Sequence, residues 1–275
     1  MVVVQKVIVR LLACMTGFVS LAVHASCANV HPSSILDLSH WKLTLPVDAD
    51  NGTGGEAADI ESADLAAGYD SGYFCTDPSG GVKFWAPVDG ATTGGSDYPR
   101  SELRQMLDPD DDNVNWNPAD YEATLAATLT VSRVPSSTRK VVIGQIHGFQ
   151  TNAYVKLRYL YNPATHTGSL AALVNESPTA SDSDNYGSVD GLPFDEPFTY
   201  SITVRDRVVT IKVNGHVLTS FHVQHAWLHE PMYFKAGSYD QASGSSSEDG
   251  GRVTFYELNV AAHEPTDAIF IDGLD

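Results

Sequence analysis

Apolar and polar residues alternate with a period of two along much of the chain, which is the spacing of β-strands with one buried face. The clearest stretch runs from Tyr121 to Val131, where Ala, Leu or Val occupies every second position from 123 onward. Shorter alternating stretches cover residues 155–161, 200–204, 209–213 and 253–258. The sequence shows no long amphipathic helical pattern. It therefore predicts an all-β chain of many short strands.

Turn residues between these stretches predict how the strands connect. Asn214-Gly215 separates two alternating stretches and predicts a two-residue β-hairpin. Stretches rich in Gly, Ser and Asp at 50–55, 181–191 and 241–251 predict polar loops, and the last is a candidate lid. The sequence contains no evident linker or internal repeat. We expect residues 26–275 to form a single domain, with a β-sandwich or jelly-roll fold.

The first 25 residues have the pattern of a secretory signal. Lys6 and Arg10 precede an apolar run that ends near Val23, and cleavage is expected after Ala25. The run is shorter than the roughly 20 residues of a membrane-spanning helix. We therefore expect no membrane anchor and a secreted protein, extracellular or periplasmic. Export would leave Cys27 and Cys75, which form a disulfide or remain two free thiols.

The charge balance narrows the choice of partners. The chain has 16 Lys and Arg against 34 Asp and Glu, a formal net charge of −18. This excess of negative charge argues against nucleic acid as a partner. An anionic ligand would need a cleft that is locally positive although the chain as a whole is acidic.

Three predicted strands place polar groups where an apolar face is expected. Strand parity puts Arg100, Glu102 and Arg104 on one face, where Glu102 would hold both guanidinium groups. An exposed charged strand face is the alternative for this segment. Gln145 and His147 share a face at the end of an apolar strand, and a structural histidine is the alternative there.

The third of these strands carries a lysine and a tyrosine. Lys235, Gly237, Tyr239 and Gln241 share one side, and Gly237 is expected to leave room there for a bulky ligand. Lys and Tyr on an ordinary amphipathic edge strand are the alternative. Further positive charge is expected from a fourth strand, which carries Lys156 and Arg158.

The same three segments resemble the signature motifs of polysaccharide lyase family 7, in the family's order and at similar separations. They are Arg100–Arg104, Gln145–His147 and Tyr233–Gln241, and the segments Leu36–Pro46 and Arg252–Leu258 resemble the family's opening and closing strands. The resemblance implies an all-β, concanavalin-like β-sandwich jelly roll of two antiparallel sheets, with the substrate groove on its concave face. It also implies an alginate lyase, which cleaves 1,4-linked mannuronate and guluronate by β-elimination and leaves 4,5-unsaturated non-reducing ends.

The resemblance also implies roles for individual residues. Arg100, Gln145 and His147 would neutralise the sugar carboxylate, and Tyr239 would protonate the leaving O4. Tyr239 would also be the base for mannuronate, whereas His147 would be the base for guluronate. The residues expected to bind or position substrate are Glu102, Arg104, Lys156, Arg158, Lys235 and Gln241. We expect no cofactor and no metal, and Ile146 favours guluronate-containing blocks.

Two other functions fit a jelly roll. A glycoside hydrolase would need two carboxylates on one strand face, but Glu56, Asp59 and Glu61 lie in an expected loop with the wrong parity. A carbohydrate-binding module would instead expose Trp platforms. Trp85 and Trp116 are the candidates, but a buried aromatic residue is the favoured alternative for each.

A metal site is the remaining possibility in the sequence. The candidate ligands are His222, His225, His229 and Glu230. His225 and His229 have helical i, i+4 spacing, but Pro231 and the preceding hairpin strand disfavour a helix at this position. We therefore expect no metal site, and we expect a monomer.

Overall fold

Two antiparallel β-sheets pack face to face in the computed structural model, which describes residues 27–50, 56–180 and 182–265. Strands are numbered in chain order. The eight-stranded sheet contains, in spatial order, β10 (Asp184–Pro193), β9 (Thr167–Val174), β8 (Ala153–Asn162), β7 (Lys140–Gly148), β14 (Met232–Asp240), β5 (Arg100–Gln105), β1 (Trp41–Asp48) and β2 (Ala57–Ile60). The seven-stranded sheet contains β13 (His216–His222), β12 (Val208–Val213), β11 (Phe198–Arg205), β6 (Glu122–Arg133), β15 (Gly250–His263), β4 (Val82–Pro87) and β3 (Phe74–Thr76).

Helical structure is confined to short pieces in the described ranges. These are α1 (Ser62–Ala66) and the 3₁₀ turns Pro32–Ser34 and His225–Trp227. The fold is the predicted β-sandwich jelly roll. The predicted signal at 1–25 lies outside the described residues, as does most of the predicted loop at 50–55.

The inner faces of the two sheets form one apolar core. Phe84 and Phe255 of the seven-stranded sheet pack edge to face with ring centroids 5.3 Å apart. Leu103 and Phe234 of the eight-stranded sheet are fully buried in the same cluster. Because side chains alternate along a strand, burying these residues turns their sequence neighbours to the outer faces of the sheets.

The strongest sequence patterns are confirmed. Strand β6 alternates between buried and partly exposed residues along the predicted stretch. Strands β12 and β13 form the predicted hairpin, and its two turn residues, Asn214 (φ +48°) and Gly215 (φ +78°), both have positive φ. Positive φ at both positions gives the turn the twist that matches the paired strands.

Two segments expected to be loops, 181–191 and the segment from Glu56 to Glu61, instead contain edge strands of the eight-stranded sheet. Residues 181–191 lie largely in β10, which pairs with β9, and residues 57–60 form β2, which pairs with β1. An edge strand pairs on one side only and tolerates polar residues on both faces, so its sequence lacks an apolar face. Both pairings also contain register shifts, which interrupt the alternation further.

The third predicted loop, 241–251, is confirmed over 241–249, whereas Gly250 already begins β15. A hydrogen bond of 2.8 Å from the Gly244 N–H to the Val88 carbonyl oxygen anchors the backbone of this loop. Asp249 accepts hydrogen bonds from the backbone and the hydroxyl of Ser136. Opening of this loop as a lid stays a prediction.

A disulfide joins Cys27 to Cys75 across 5.7 Å between Cα atoms and links the start of the described chain to β3. This resolves the choice between a disulfide and two free thiols. In the described ranges, no helix is long and apolar enough to cross a bilayer.

Candidate active site

Strands β7, β14 and β5 are neighbours, so the three segments singled out in the sequence meet on the outer face of the eight-stranded sheet. Lys235 lies opposite Gln145 on one side and opposite Arg104 on the other. Tyr239 lies opposite Arg100. Antiparallel pairing thus brings residues together that are more than 130 positions apart in the chain.

A buried carboxylate connects the segments. Glu102 has 0% exposure and accepts hydrogen bonds from Arg100 Nη1 at 3.1 Å and from Gln145 Nε2 at 2.6 Å. Its Oε2 also lies 3.2 Å from Lys235 Nζ. Burial alone would raise the pKa of this carboxyl, but the charges of Lys235 and Arg100 and the amide of Gln145 outweigh burial and lower it. Glu102 is therefore an anion that fixes three donors.

Arg104 is not held by Glu102, contrary to the expectation from sequence. Its guanidinium donates to the carbonyl oxygen of Asp112 at 2.7 Å and to Asn115 Oδ1 at 2.9 Å, and it stacks 4.3 Å from the ring centroid of Tyr233. Gly237 is the direct partner of Glu102 on the next strand, and Lys235 lies diagonally across from Glu102. The Nζ of Lys235 ion-pairs with Glu102 in the place expected for Arg104.

His147 has one ring nitrogen committed and one free for chemistry. Its Nδ1 lies 2.9 Å from the Gly148 carbonyl oxygen, which only accepts, so Nδ1 carries the proton and Nε2 keeps its lone pair. Burial lowers the pKa of His147 to about 3, and the positive charge of Lys235 contributes to the shift. The imidazole is neutral at working pH, and it stacks on Tyr233 with ring centroids 5.5 Å apart.

Tyr239 lies against the guanidinium of Arg100. The Arg100 guanidinium lies 4.0 Å from the centroid of its ring. Its hydroxyl is 3.0 Å from Ser96 Oγ, and either atom is able to donate that hydrogen bond. A phenol, a neutral imidazole and a buried cation therefore share one sheet face, which suits proton transfer next to an anionic group.

Comparison with known proteins identifies the family. Residues 36–262 match the family model described as alginate lyase. An alginate lyase of Klebsiella pneumoniae is 30% identical over 280 residues, covering 83% of this chain and 90% of that protein. The chain belongs to the alginate lyase family.

Solved structures agree with this assignment. Alginate lyase A1-II′, a member of polysaccharide lyase family 7, has 33% identity and a TM-score of 0.75, with 86% of this chain and 100% of that chain covered. An alginate lyase of Pseudomonas aeruginosa has 37% identity and a TM-score of 0.74, with coverage of 82% and 100%. A double variant of A1-II′ in complex with substrate (GGMG) has 31% identity and a TM-score of 0.75, with coverage of 87% and 99%.

Two other predicted binding residues of this lyase lie on the neighbouring strand β8. Lys156 pairs with Gln145 and Arg158 pairs with Val142, so both share the outer face with the groups described above. Burial lowers the pKa of Lys156, and the adjacent charge of Arg158 lowers it further. These two cations extend the positive region from β14 toward β8.

Gly237 differs from expectation, whereas substrate binding by Gln241 stays a prediction. Gln241 lies just beyond β14, and its amide donates to the Asp240 carbonyl at 2.7 Å, so it borders the charged network without joining it. A Cβ on Gly237 (φ +154°) would lie 2.4 Å from the Ser101 carbonyl oxygen and 3.2 Å from Phe84 Cδ1. Gly237 therefore accommodates neighbouring protein atoms, and the expectation that it leaves room for ligand is wrong.

Sequence reasoning did not single out two residues of this site. Tyr233 stacks on both His147 and Arg104. It precedes Lys235 by two residues on the same strand, so the sequence already indicated that the two side chains share a face. Ser96 contacts the Tyr239 hydroxyl from a loop, where no strand period indicates which way a side chain points.

The acidic residues considered for a hydrolase have other partners. Asp59 accepts a hydrogen bond from Thr44 and lies 3.6 Å from Lys42, which also ion-pairs with Glu61 at 3.1 Å. In the part of the chain that the structure describes, no three His, Cys, Asp or Glu side chains are grouped to hold a metal. Glu230 accepts a hydrogen bond from Thr151, and His225 opens a 3₁₀ turn.

Proposed function

We propose that the enzyme cleaves alginate by β-elimination, with Arg100, Gln145, His147 and Tyr239 as its catalytic residues. The observation that carries this proposal is the Glu102 network, which holds cationic and amide donors beside a neutral imidazole and a phenol. The C5 proton of a uronate is a poor acid because the adjacent carboxylate would carry a second negative charge in the transition state. Neutralising that carboxylate is therefore the first requirement of the reaction.

Arg100 and Gln145 have the donors for this neutralisation. Arg100 gives one N–H of Nη1 to Glu102, and a guanidinium has five N–H donors, so others remain for a substrate carboxylate. Gln145 Nε2 gives one of its two N–H groups to Glu102 and keeps the other. Glu102 thus orients both donors without consuming them, and bidentate contact to a uronate carboxylate needs this geometry.

His147 and Tyr239 have the roles of base and acid. Nε2 of His147 is unprotonated and would remove the C5 proton of guluronate. Tyr239 would protonate O4, and in mannuronate, where the C5 hydrogen and O4 share a side, it would perform both steps. A bound uronate adds negative charge near His147 and so raises its low pKa toward the range useful for a base.

Substrate contacts away from the reacting bond are assigned to Arg104, Lys235, Lys156, Arg158 and Gln241. We also propose that the enzyme cleaves both mannuronate- and guluronate-containing stretches. The complex of a variant of A1-II′ with substrate (GGMG) supports this range. We further propose a single catalytic domain over residues 26–275 that is secreted as a monomer after cleavage at Ala25. The Cys27–Cys75 disulfide supports export.

Block-defined alginates test the assignment of roles. Tyr239→Phe should lower kcat on poly-mannuronate and poly-guluronate by about 10²- to 10⁴-fold, the usual contribution of a general acid or base. His147→Gln should lower kcat on poly-guluronate much more than on poly-mannuronate. Turnover is followed by the ultraviolet absorbance of the unsaturated product, which hydrolysis would not generate.

Tyr98→Phe is the matched control, because the Tyr98 ring lies 6.5 Å from that of Tyr239 and has no assigned step. It should keep activity within a few-fold of the parent enzyme. Full activity of Tyr239→Phe would exclude Tyr239 as acid, and equal losses on both polymers in His147→Gln would exclude its guluronate-specific role.

A further inference from the structure

A second cluster of cations lies on the outer face of the other sheet. It consists of Lys83, Trp85, Arg133 and Arg252, and we call it the Trp85 cluster. Trp85 on β4 is directly opposite Arg252 on β15, which is opposite Arg133 on β6. Lys83 precedes Trp85 by two positions and shares its face. The cluster is separated from the Glu102 network by the core between the sheets.

Both guanidinium groups converge on one indole ring. The Cζ atoms of Arg133 and Arg252 lie 5.3 Å and 5.5 Å from the centroid of Trp85, within the range of cation–π attraction. The other three Trp residues are buried with at most 1% exposure, whereas Trp85 is partly exposed. Trp85 is therefore the one indole that a ligand in solution is able to contact.

The two arginines lack the counter-charges that the Glu102 network has. Neither has a carboxylate oxygen within 4.0 Å in the described ranges, although the chain has 34 acidic residues. The Nε of Arg252 is buried without a hydrogen-bond partner in the same ranges. Burial lowers the pKa of Arg252, and the charge of Arg133 adds to the effect, whereas Asp77 and Asp195 act against it. An anion between the guanidinium groups would relieve this repulsion.

We propose that the Trp85 cluster is a second, non-catalytic binding site for the anionic polysaccharide. The paired guanidinium forks would hold uronate carboxylates, and the exposed part of the indole would contact the sugar ring. An open sheet face suits a long chain, which continues past the site in both directions, better than it suits a small anion that needs enclosure. The choice of a uronate polymer as the ligand rests on the proposed function.

Two sites on opposite faces change how the enzyme meets its substrate. A stretch of polymer on the Trp85 cluster keeps the enzyme near other stretches, which raises their effective concentration at the catalytic groove. The benefit exists only for polymers long enough to reach both faces. Short oligosaccharides would be cleaved equally well with or without the second site.

Tryptophan fluorescence reads the second site directly. In a Tyr239→Phe background, which should slow turnover by about 10²- to 10⁴-fold, acrylamide should quench Trp85 fluorescence and short uronate oligosaccharides should protect it from quenching. The oligosaccharides should no longer protect Trp85 from quenching when Arg133→Gln and Arg252→Gln are added. Lys212→Gln is the matched control, because Lys212 is an exposed cation on the same outer face, and three strands separate its strand β12 from β4. It should leave protection unchanged.

Kinetics separate this site from the catalytic groove. With Tyr239 intact, Arg133→Gln/Arg252→Gln should leave turnover of a short oligosaccharide unchanged and raise the apparent KM for long polymer by about tenfold or more. Equal KM values for long polymer, or protection that survives the double substitution, would overturn the proposal. Equal protection by dextran sulfate would overturn the choice of ligand. A parent enzyme without lyase activity would refute the proposed function, yet the fluorescence result would still show whether the cluster binds uronates.

Discussion

The outer faces of the two sheets hold their positive charges in different ways. On the eight-stranded sheet, Arg100 and Lys235 lie within 3.2 Å of a fully buried carboxylate. On the seven-stranded sheet, Arg133 and Arg252 surround an indole, and the described residues place no carboxylate oxygen within 4.0 Å of either. The first arrangement fixes donors in place for chemistry, whereas the second leaves charge available for an outside anion. Positive charge alone therefore does not identify the catalytic face.

Removing the central carboxylate should have the largest effect. Glu102→Gln leaves Arg100 and Lys235 buried without a counter-charge, so the free energy of unfolding should fall by about 3–5 kcal/mol. Urea denaturation measures this loss, and lyase activity should fall with it. Asp112→Asn is the control, since Asp112 pairs with Lys42 while 47% exposed, and it should cost no more than about 1 kcal/mol. Equal losses in the two variants would show that Glu102 is not the organising charge.

Acid should destabilise the catalytic face through His147. Its pKa is about 3 in the folded protein and about 6.5 in an unfolded chain. Between these values the unfolded chain takes up a proton that the folded protein does not, so this group lowers stability as pH falls from about 6.5 to 3. His147→Gln should lose less stability than the parent between pH 7 and pH 4. An NMR titration with a midpoint of His147 near pH 6.5 would contradict the prediction.

Asp240, which lies between the two sheets, should lower the stability of the folded protein as pH rises, the opposite of the effect of His147. It is fully buried on the inner side of β14, and burial raises its pKa well above 3.8. As pH rises above about 3.8, the unfolded chain releases this proton first, so stability falls until the folded pKa is passed. Asp240→Asn does not titrate, so its melting temperature should gain on the parent as pH rises from 4 to 9. A constant difference across that range would contradict burial as the cause.

The Trp85 cluster should give the smallest change in stability. Arg133→Gln/Arg252→Gln loses cation–π attraction and relieves like-charge repulsion, so the free energy of unfolding should change by no more than about 0.5 kcal/mol. Urea denaturation gives the free energy of unfolding of this double variant and of Glu102→Gln, so that the two losses are compared directly. A loss of several kcal/mol would mean that the arginines serve the fold and not a ligand.

The two-residue period of the strands was enough to predict much of the site. The period of two correctly grouped Arg100 with Glu102, and Lys235 with Tyr239, because alternate side chains of a strand lie on one face. Parity failed where the strand period is interrupted or absent. Strand β10 at the sheet edge has no apolar face, and Ser96 contributes from a loop.

The partners of Glu102 were a different kind of error. In the sequence, Arg100 and Arg104 are its equivalent neighbours, two positions away on either side. In the structure, Arg100 keeps that position, while Lys235 replaces Arg104. Sequence spacing does not reveal that a lysine from a distant segment lies on the adjacent strand, nor that the loop at 108–115 holds Arg104.

The sequence alone determined most of the inner strands and which of their side chains share a face, since alternation and turn chemistry act over a few residues. It also carried enough of three motifs to indicate the family. The order of the strands, the charge that each buried group meets and the contrast between the two outer faces were decided by the tertiary structure. These depend on the pairing of β7, β14 and β5, and of β6, β15 and β4, because hydrogen bonds and charges act between neighbours in space.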